Sequence, residues 1–405
     1  MKVKKTSFKQ CLDALAFLSL GCFMVFQILP GQASAGFFAA SFVFFAASSI
    51  AFPSKVCAFK YGVPEFTLIL FLISNLFSIF LNSELFGTGF TALFWCFAVF
   101  ISFLWGKSIK NWSVFVAIPG FVCGTLFFFW ALVFGFDLSG LFSGKIYRSS
   151  FLFVVNPNRF AIILLVSLAF LTISFQHFEV LGGLKRYVVF ALYVMVLVGV
   201  IGTGSRTGFA VAGFFGILVV ARSRFKGRFF GQRACKFIAR TLLVTSMFTV
   251  IGLIYLVLVG ALYGSGRDVI WRVALDAWAG SPFFGLGFGQ SARVLASENI
   301  MLSAHNAFVE LLVEGGISAF ILFFLFLGTV ALKGCFRSGR EPESVVLLLI
   351  LFAFIFHQSF ESLIFHVSPY SFMFFAFSGW VVERCGSYVN LQAQDLRHTS
   401  IARPR

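Results

Sequence analysis

Apolar runs of about the length that crosses a bilayer repeat along the whole chain, each closed by a short polar or basic stretch. They fall at 11–29, 34–52, 66–82, 89–106, 112–136, 159–175, 187–203, 207–221, 241–263, 308–332, 344–358 and 368–382. This pattern predicts an all-α, polytopic integral membrane protein of about twelve transmembrane helices, a single membrane domain over 1–405. The connection between the seventh and eighth runs, Gly202-Thr203-Gly204-Ser205-Arg206, is short enough to lie within the depth of the bilayer. Two polar stretches are long, at 137–158 and 264–307. The second predicts a short amphipathic helix opening at Ser265-Gly266-Arg267-Asp268, with Ser265 as cap. Val269, Ile270, Val273, Ala274 and Ala277 would form its apolar face, laid along the membrane surface, and Gly280 and Pro282 would end it.

Composition sharpens this. Hydrophobic residues make up 60% of the 405 and charged residues only 11%, with mean hydropathy +0.97. A soluble domain carries about 25% charge, so a soluble enzyme and a disordered chain are both excluded. The net charge of +16 would point to nucleic acid in a soluble protein. Here the positive-inside rule absorbs it and no nucleic-acid partner is expected. With the N-terminus inside, 24 of the 31 Lys and Arg fall on cytoplasmic segments, among them the basic loop 222–240 and the tail 383–405. Both termini are then cytoplasmic. The basic loop also suits anionic lipid headgroups. Ala33-Ser34-Ala35 resembles a signal-peptide cleavage site, but the preceding apolar run is long for one and is read as a retained first span. No CxxC pair exists among the 8 Cys and none lies in an outside loop, so neither a disulfide nor a zinc site is expected.

Seven basic residues remain outside, where topology does not favour them: Lys145, Arg148, Arg159, Arg206, Arg267, Arg272 and Arg293. Arg206 sits between two apolar spans, where an ionisable group is costly and usually has a task. Asn158 is placed to cap a helix beginning at Arg159, which accounts for it without a ligand. The Gly-alternating run Phe284-Gly285-Leu286-Gly287-Phe288-Gly289 would permit close backbone approach to a ligand. It lacks the strand and GK[ST] of a phosphate loop. His305-Asn306 opens the tenth span, with Glu310 and Glu314 on the next turns. Alone, His305 is as well read as a satisfied interface histidine. No HExxH or Asp-rich cluster is present, so no metal and no cofactor is expected. Arginines hold phosphate bidentately and a neutral histidine can take a proton near pH 7. Arg206, Arg267 and His305 on one membrane face therefore suit a diphosphate leaving group and a hydroxyl nucleophile.

The order of these residues carries a resemblance. Asn156-Pro157-Asn158, then Ser205-Arg206, then Gly266-Arg267-x3-Trp271, then Pro282-x2-Gly285-x-Gly287-x-Gly289, then His305-Asn306-x9-Gly316, is similar to the O-antigen ligase and O-antigen polymerase superfamily of bacterial envelopes. The motifs cover about 150–325, and the span layout extends the match over nearly the whole chain. A second family glycine is replaced here by Ala319. The resemblance implies a metal-independent glycosyltransferase in the inner membrane, with a periplasmic active site in the loop 264–307. The donor would be an undecaprenyl-diphosphate-linked glycan. The acceptor would be a sugar hydroxyl of lipid A–core in a ligase, or another lipid-linked repeat unit in a polymerase. Arg206 and Arg267 would hold the donor diphosphate and His305 would orient or deprotonate the acceptor. Asn158, Arg159, Trp271, Asn306 and Glu310 would be possible substrate contacts.

The downstream Gly316 and the span count lean toward ligase. A transporter would need more ionisable residues inside its spans than this chain carries. His357, Glu361 and His366 form a smaller polar group on the same face, read either as a second sugar contact or, preferably, as a short solvated loop.

Overall fold

A computed structural model describes residues 62–81, 88–108, 157–174, 184–203, 205–225, 267–300, 304–337, 342–366, 368 and 370–383, with isolated positions besides. Every regular element among these residues is helical and none is a strand. In chain order they are α1 Val63–Leu81, α2 Thr88–Ser108, α3 Pro157–Ser174, α4 Leu184–Gly202, α5 Arg206–Phe225, α6 Arg267–Ala279, α7 Gln290–Ser297, α8 Ala307–Arg337, α9 Pro342–Gln358 and α10 at 370–383. Three are long and apolar enough to cross a membrane, over Val63–Leu81, Gly89–Lys107 and Ala307–Gly334. Shorter apolar helices cover Ala161–Ser174, Tyr187–Gly202, Arg206–Val219 and Val346–Gln358. The runs predicted at 11–29, 34–52, 112–136 and 241–263 lie outside the described residues, as do the basic loop 222–240 beyond Phe225 and most of the stretches at 137–158 and 383–405.

The chain divides into two compact units. One comprises 1–52, 111–229 and 353–373, the other 53–110, 230–352 and 374–405. In the first, α3 packs on α4 and α5. Its helix α3 begins at Pro157, so Asn158 stands in the first turn rather than before it. Proline suits that first position because its missing N–H has no partner there anyway.

In the second unit the main contact is between α1 and α8, which run antiparallel. Three polar pairs fix the register: Thr67 with Thr329 at 3.3 Å, Ser74 with Ser318 at 2.8 Å, and Ser78 Oγ donating to the Glu314 carbonyl at 2.6 Å. Small hydroxyl residues let apolar helices approach and give them hydrogen bonds that lipid cannot supply. At one end of this pair the buried Glu65 carboxylate accepts from Lys107 Nζ at the end of α2, lies 4.0 Å from Lys333 Nζ of α8 and takes the Gly62 N–H at 2.9 Å. The three charges come from stretches that the basic-residue count places on one side of the membrane.

Glycines set the closest helix contact. A side chain at Gly106 of α2 would overlap the Ala376 carbonyl of α10, and one at Gly379 of α10 would overlap the Phe103 carbonyl of α2. Gly106→Val is therefore expected to force these backbones apart and lower stability by roughly 1–3 kcal/mol, as overpacking does. Gly328→Ala in α8 meets nothing within 4 Å and should leave stability unchanged or raised. Thermal midpoints of the two purified variants in one detergent check the contrast.

Candidate functional site

The site is built around the start of α8. Asn306 precedes the helix and its Oδ1 accepts the N–H groups of Phe308 at 2.9 Å and Val309 at 3.2 Å. That satisfies two donors which a helix start leaves free. His305, one residue earlier, is partly buried and takes a left-handed backbone, φ 49°. This conformation turns the chain sharply into the capped helix. Ala304 before it is fully buried.

Helix α6 is fastened to this turn. Trp271 is 3% exposed and its Nε1 donates to the Ala304 carbonyl at 2.6 Å. Ile270, Trp271, Ala274 and Leu275 of α6 then pack with Leu295 of α7 and with Val309, Leu312 and Val313 of α8. The apolar face is thus the predicted one in part: Ile270, Val273 and Ala274 face the protein as expected. Trp271 and Leu275 point into the protein, while Val269 is exposed. The reason is physical: α6 has protein partners on its buried side, and the large indole with a single N–H goes where a carbonyl can receive it. Helix α6 ends at Ala279, beside the expected breaker Gly280. The predicted cap Ser265 lies outside the described residues.

The Gly-alternating run is used differently from the expectation. Helix α8 is interrupted at Gly316, with φ 68° and ψ −173°. This region is essentially open to glycine alone. The backbone freed by the break pairs with the run 282–287: Leu286 N–H with the Val313 carbonyl at 2.7 Å, Gly287 N–H with Glu314 at 3.0 Å, Ile317 N–H with Pro282 at 2.9 Å and Ser318 N–H with Phe283 at 3.2 Å. A Cβ at Gly285 would meet the Glu314 carbonyl carbon at 2.5 Å. The close backbone approach that these glycines permit is made to α8 itself. Gly289, also left-handed at φ 77°, leads into α7. Ser291 of α7 donates to the buried Glu314 carboxylate. Glu314 therefore joins α1, α7 and the glycine run to α8, a role its place in the sequence does not announce. The Gly315-Gly316 pair within a membrane span was the available signal.

Arg267, Trp271, His305, Asn306 and Glu310 belong to one unit, and Arg206, Asn158 and Arg159 to the other. Arg267 is the first residue of α6, one turn before Trp271, whose indole leads directly to the neighbour of His305. Arg206 is the exposed first residue of α5. Ser205 caps that helix, its Oγ accepting the Gly208 N–H at 3.2 Å, and Thr203 braces the turn through Val200 and Ser205. Neither arginine has a hydrogen bond or ion pair among the described residues. Both stand at helix N-termini, where peptide dipoles and free N–H groups add to their attraction for an anion. Trp271, Asn306 and Glu310 are buried, at 3%, 3% and 2% exposure, and the first two have their polar groups engaged within the protein. The side chains of Asn158 and Arg159 lie outside the described residues.

The solvated-loop reading of His357 and Glu361 is corrected. His357 is fully buried and Glu361 is 5% exposed. Gln358 Oε1 accepts the N–H groups of Leu363 at 2.7 Å and Ile364 at 2.9 Å, and Ser368 and Ser371 bond the carbonyls of Leu363 and Ile364. Side chains in place of water hold this turn. Tyr370 donates to the Phe354 carbonyl at 2.8 Å and its ring lies 5.9 Å from the His357 ring.

The chain matches no protein-family model and no curated protein significantly. The tie between α6 and the His305 turn is testable. Trp271→Phe keeps the packing but removes the N–H, and should lower stability by about 1–3 kcal/mol because a buried carbonyl loses its partner. A thermal melt of the purified variant measures this.

Proposed function

We propose that the protein is a metal-independent membrane glycosyltransferase of the O-antigen ligase kind. It moves a glycan from undecaprenyl diphosphate to a sugar hydroxyl of lipid A–core on the periplasmic face of the inner membrane. The acceptor oxygen attacks the anomeric carbon, the bond from that carbon to the diphosphate breaks, and undecaprenyl diphosphate leaves. His305 accepts the hydroxyl proton. Arg267 and Arg206 hold the diphosphate and offset the charge that grows on it. Asn158 and Arg159 would be substrate contacts in this scheme.

The observation that most supports the reading is the Trp271–Ala304 hydrogen bond, which makes the helix headed by Arg267 and the turn holding His305 one piece. A cation and a base fixed on a common support is what displacement of a diphosphate by a hydroxyl requires. Lipopolysaccharide gel profiles of a deletion strain, complemented with wild type or with His305→Asn, test it. A ligase predicts loss of capped lipopolysaccharide, accumulation of lipid-linked polymer, and rescue by wild type alone. Single-repeat caps with only the long chains missing would identify a repeat-unit polymerase. An unchanged profile would reject both.

A further inference from the structure

Helix α1 exposes one apolar stripe along its length: Phe66 at 59%, Ile73 at 53%, Phe77 at 48% and Phe80 at 62%. Helix α8 exposes another from Ile317 through Ile321 to Leu325. On helices long and apolar enough to cross a membrane, such stripes are the surfaces that meet lipid tails. The two stripes converge on the turn Pro282-Phe283-Phe284. The Phe284 ring lies 5.1 Å from that of Phe77, and the carbonyls of Pro282 and Phe283 accept the N–H groups of Ile317 and Ser318. Phe283 itself is 69% exposed.

Depth follows from the register. The turn is bonded to α8 on either side of Gly316. It lies beside Ser74 and Ser78, within the last two turns of α1. Irregular backbone survives at such depth only when its polar groups are satisfied within the protein. Two carbonyls of the turn and the chain just after it are held in this way: the Pro282 carbonyl takes both Ile317 N–H and Trp278 Nε1, the Phe283 carbonyl takes Ser318 N–H, Gly285 bonds Ser281 through its N–H and its carbonyl, and the N–H groups of Leu286 and Gly287 bond α8.

From this geometry we infer that residues 282–284 form a re-entrant wedge, seated in one leaflet of the bilayer with Phe283 docked against phospholipid acyl chains. This goes beyond the proposed activity and holds whatever glycan is moved. The middle of the stretch 264–307, expected as a loop at the outer membrane surface, dips back into the membrane, and the glycines behind the wedge carry the chain out again toward α7 and His305.

The test is photocrosslinking of the full chain in nanodiscs of phosphatidylethanolamine and phosphatidylglycerol, with p-benzoyl-phenylalanine replacing Phe283, Ile73 or Glu298 in separate preparations. Phospholipid adducts are expected at 283 and at 73, with none at Glu298, which is exposed just beyond α7. Labelling at 73 without labelling at 283 would place the turn in water and overturn the inference. An adduct at 283 that forms only when polyprenyl diphosphate is added would also overturn it, in favour of a substrate-tail site. Should the benzophenone variant fail to accumulate, Phe283→Trp in bromolipid vesicles gives a second reading. Its added emission is expected to be quenched by lipids brominated along the acyl chain. Unquenched added emission overturns the inference.

Discussion

Alanine at Arg267 is expected to abolish glycan transfer while the protein still inserts and accumulates. The two halves of that statement rest on different physics. Arg267 is the first residue of α6 and Arg206 the first of α5. A cation there opposes the helix dipole, and alanine is a better helix former. Either substitution should leave stability unchanged or slightly raised. The anion these residues would serve is the departing diphosphate. Loss of one preorganised group facing developing charge costs about 10²–10³-fold in rate. Arg267→Lys should also lose activity, since an ammonium cannot reproduce the bidentate geometry. His305 needs a different variant. Its left-handed backbone penalises alanine, whereas asparagine adopts that conformation readily. His305→Asn should fold and lose about 10²–10⁴-fold, the range of a general base. Transfer from a purified lipid-linked donor, set beside membrane abundance by immunoblot, checks all four. A variant with wild-type transfer would remove its residue from the proposed chemistry.

Gly316→Ala is expected to be the most damaging small substitution in the second unit. Its backbone occupies a region that side chains avoid at a cost of about 1–3 kcal/mol. A Cβ there would also strike the Phe283 carbonyl. Relief requires either straightening α8 or expelling the turn 282–287. Both forfeit four backbone hydrogen bonds made beside apolar helices, where water is a poor substitute. Hydrogen exchange over 281–289 should rise sharply in Gly316→Ala and stay at the wild-type level in Gly328→Ala. Equal protection in both variants would show that the break does not hold the turn.

Much of the helical architecture was legible because a span is a long signal. The runs at 66–82, 89–106 and 308–332 correspond to α1, α2 and α8 within a few residues. Asn306 was legible as a residue at a helix start, though not that its amide oxygen is the cap. What escaped reading depends on partners distant in sequence. The wheel for α6 ranks Trp271 as polar-side because nothing local shows that Ala304 will receive its N–H. The glycine run looks like a ligand loop because its true neighbour, the break at Gly316, lies about thirty residues on. His357 and Glu361 look solvated because a cluster of polar letters reads as a loop. Only the fold reveals that Gln358, Ser368 and Ser371 take over the work of water there.

The polar ladder between α1 and α8 has a consequence for synthesis. Ser74 and Ser318 are separated by 244 residues. At about 5–20 residues per second, a ribosome needs roughly 12–50 s to make that interval. Throughout it α1 is already available to the membrane, with Glu65, Thr67, Ser74, Asn75 and Ser78 on it and its final helix partner not yet made. A nascent helix carrying these groups is poorly suited to wait alone among lipid tails. Lys107 of α2 can reach Glu65 early in that interval, but the bonds that Thr67, Ser74 and Ser78 make to α8 can form only at its end.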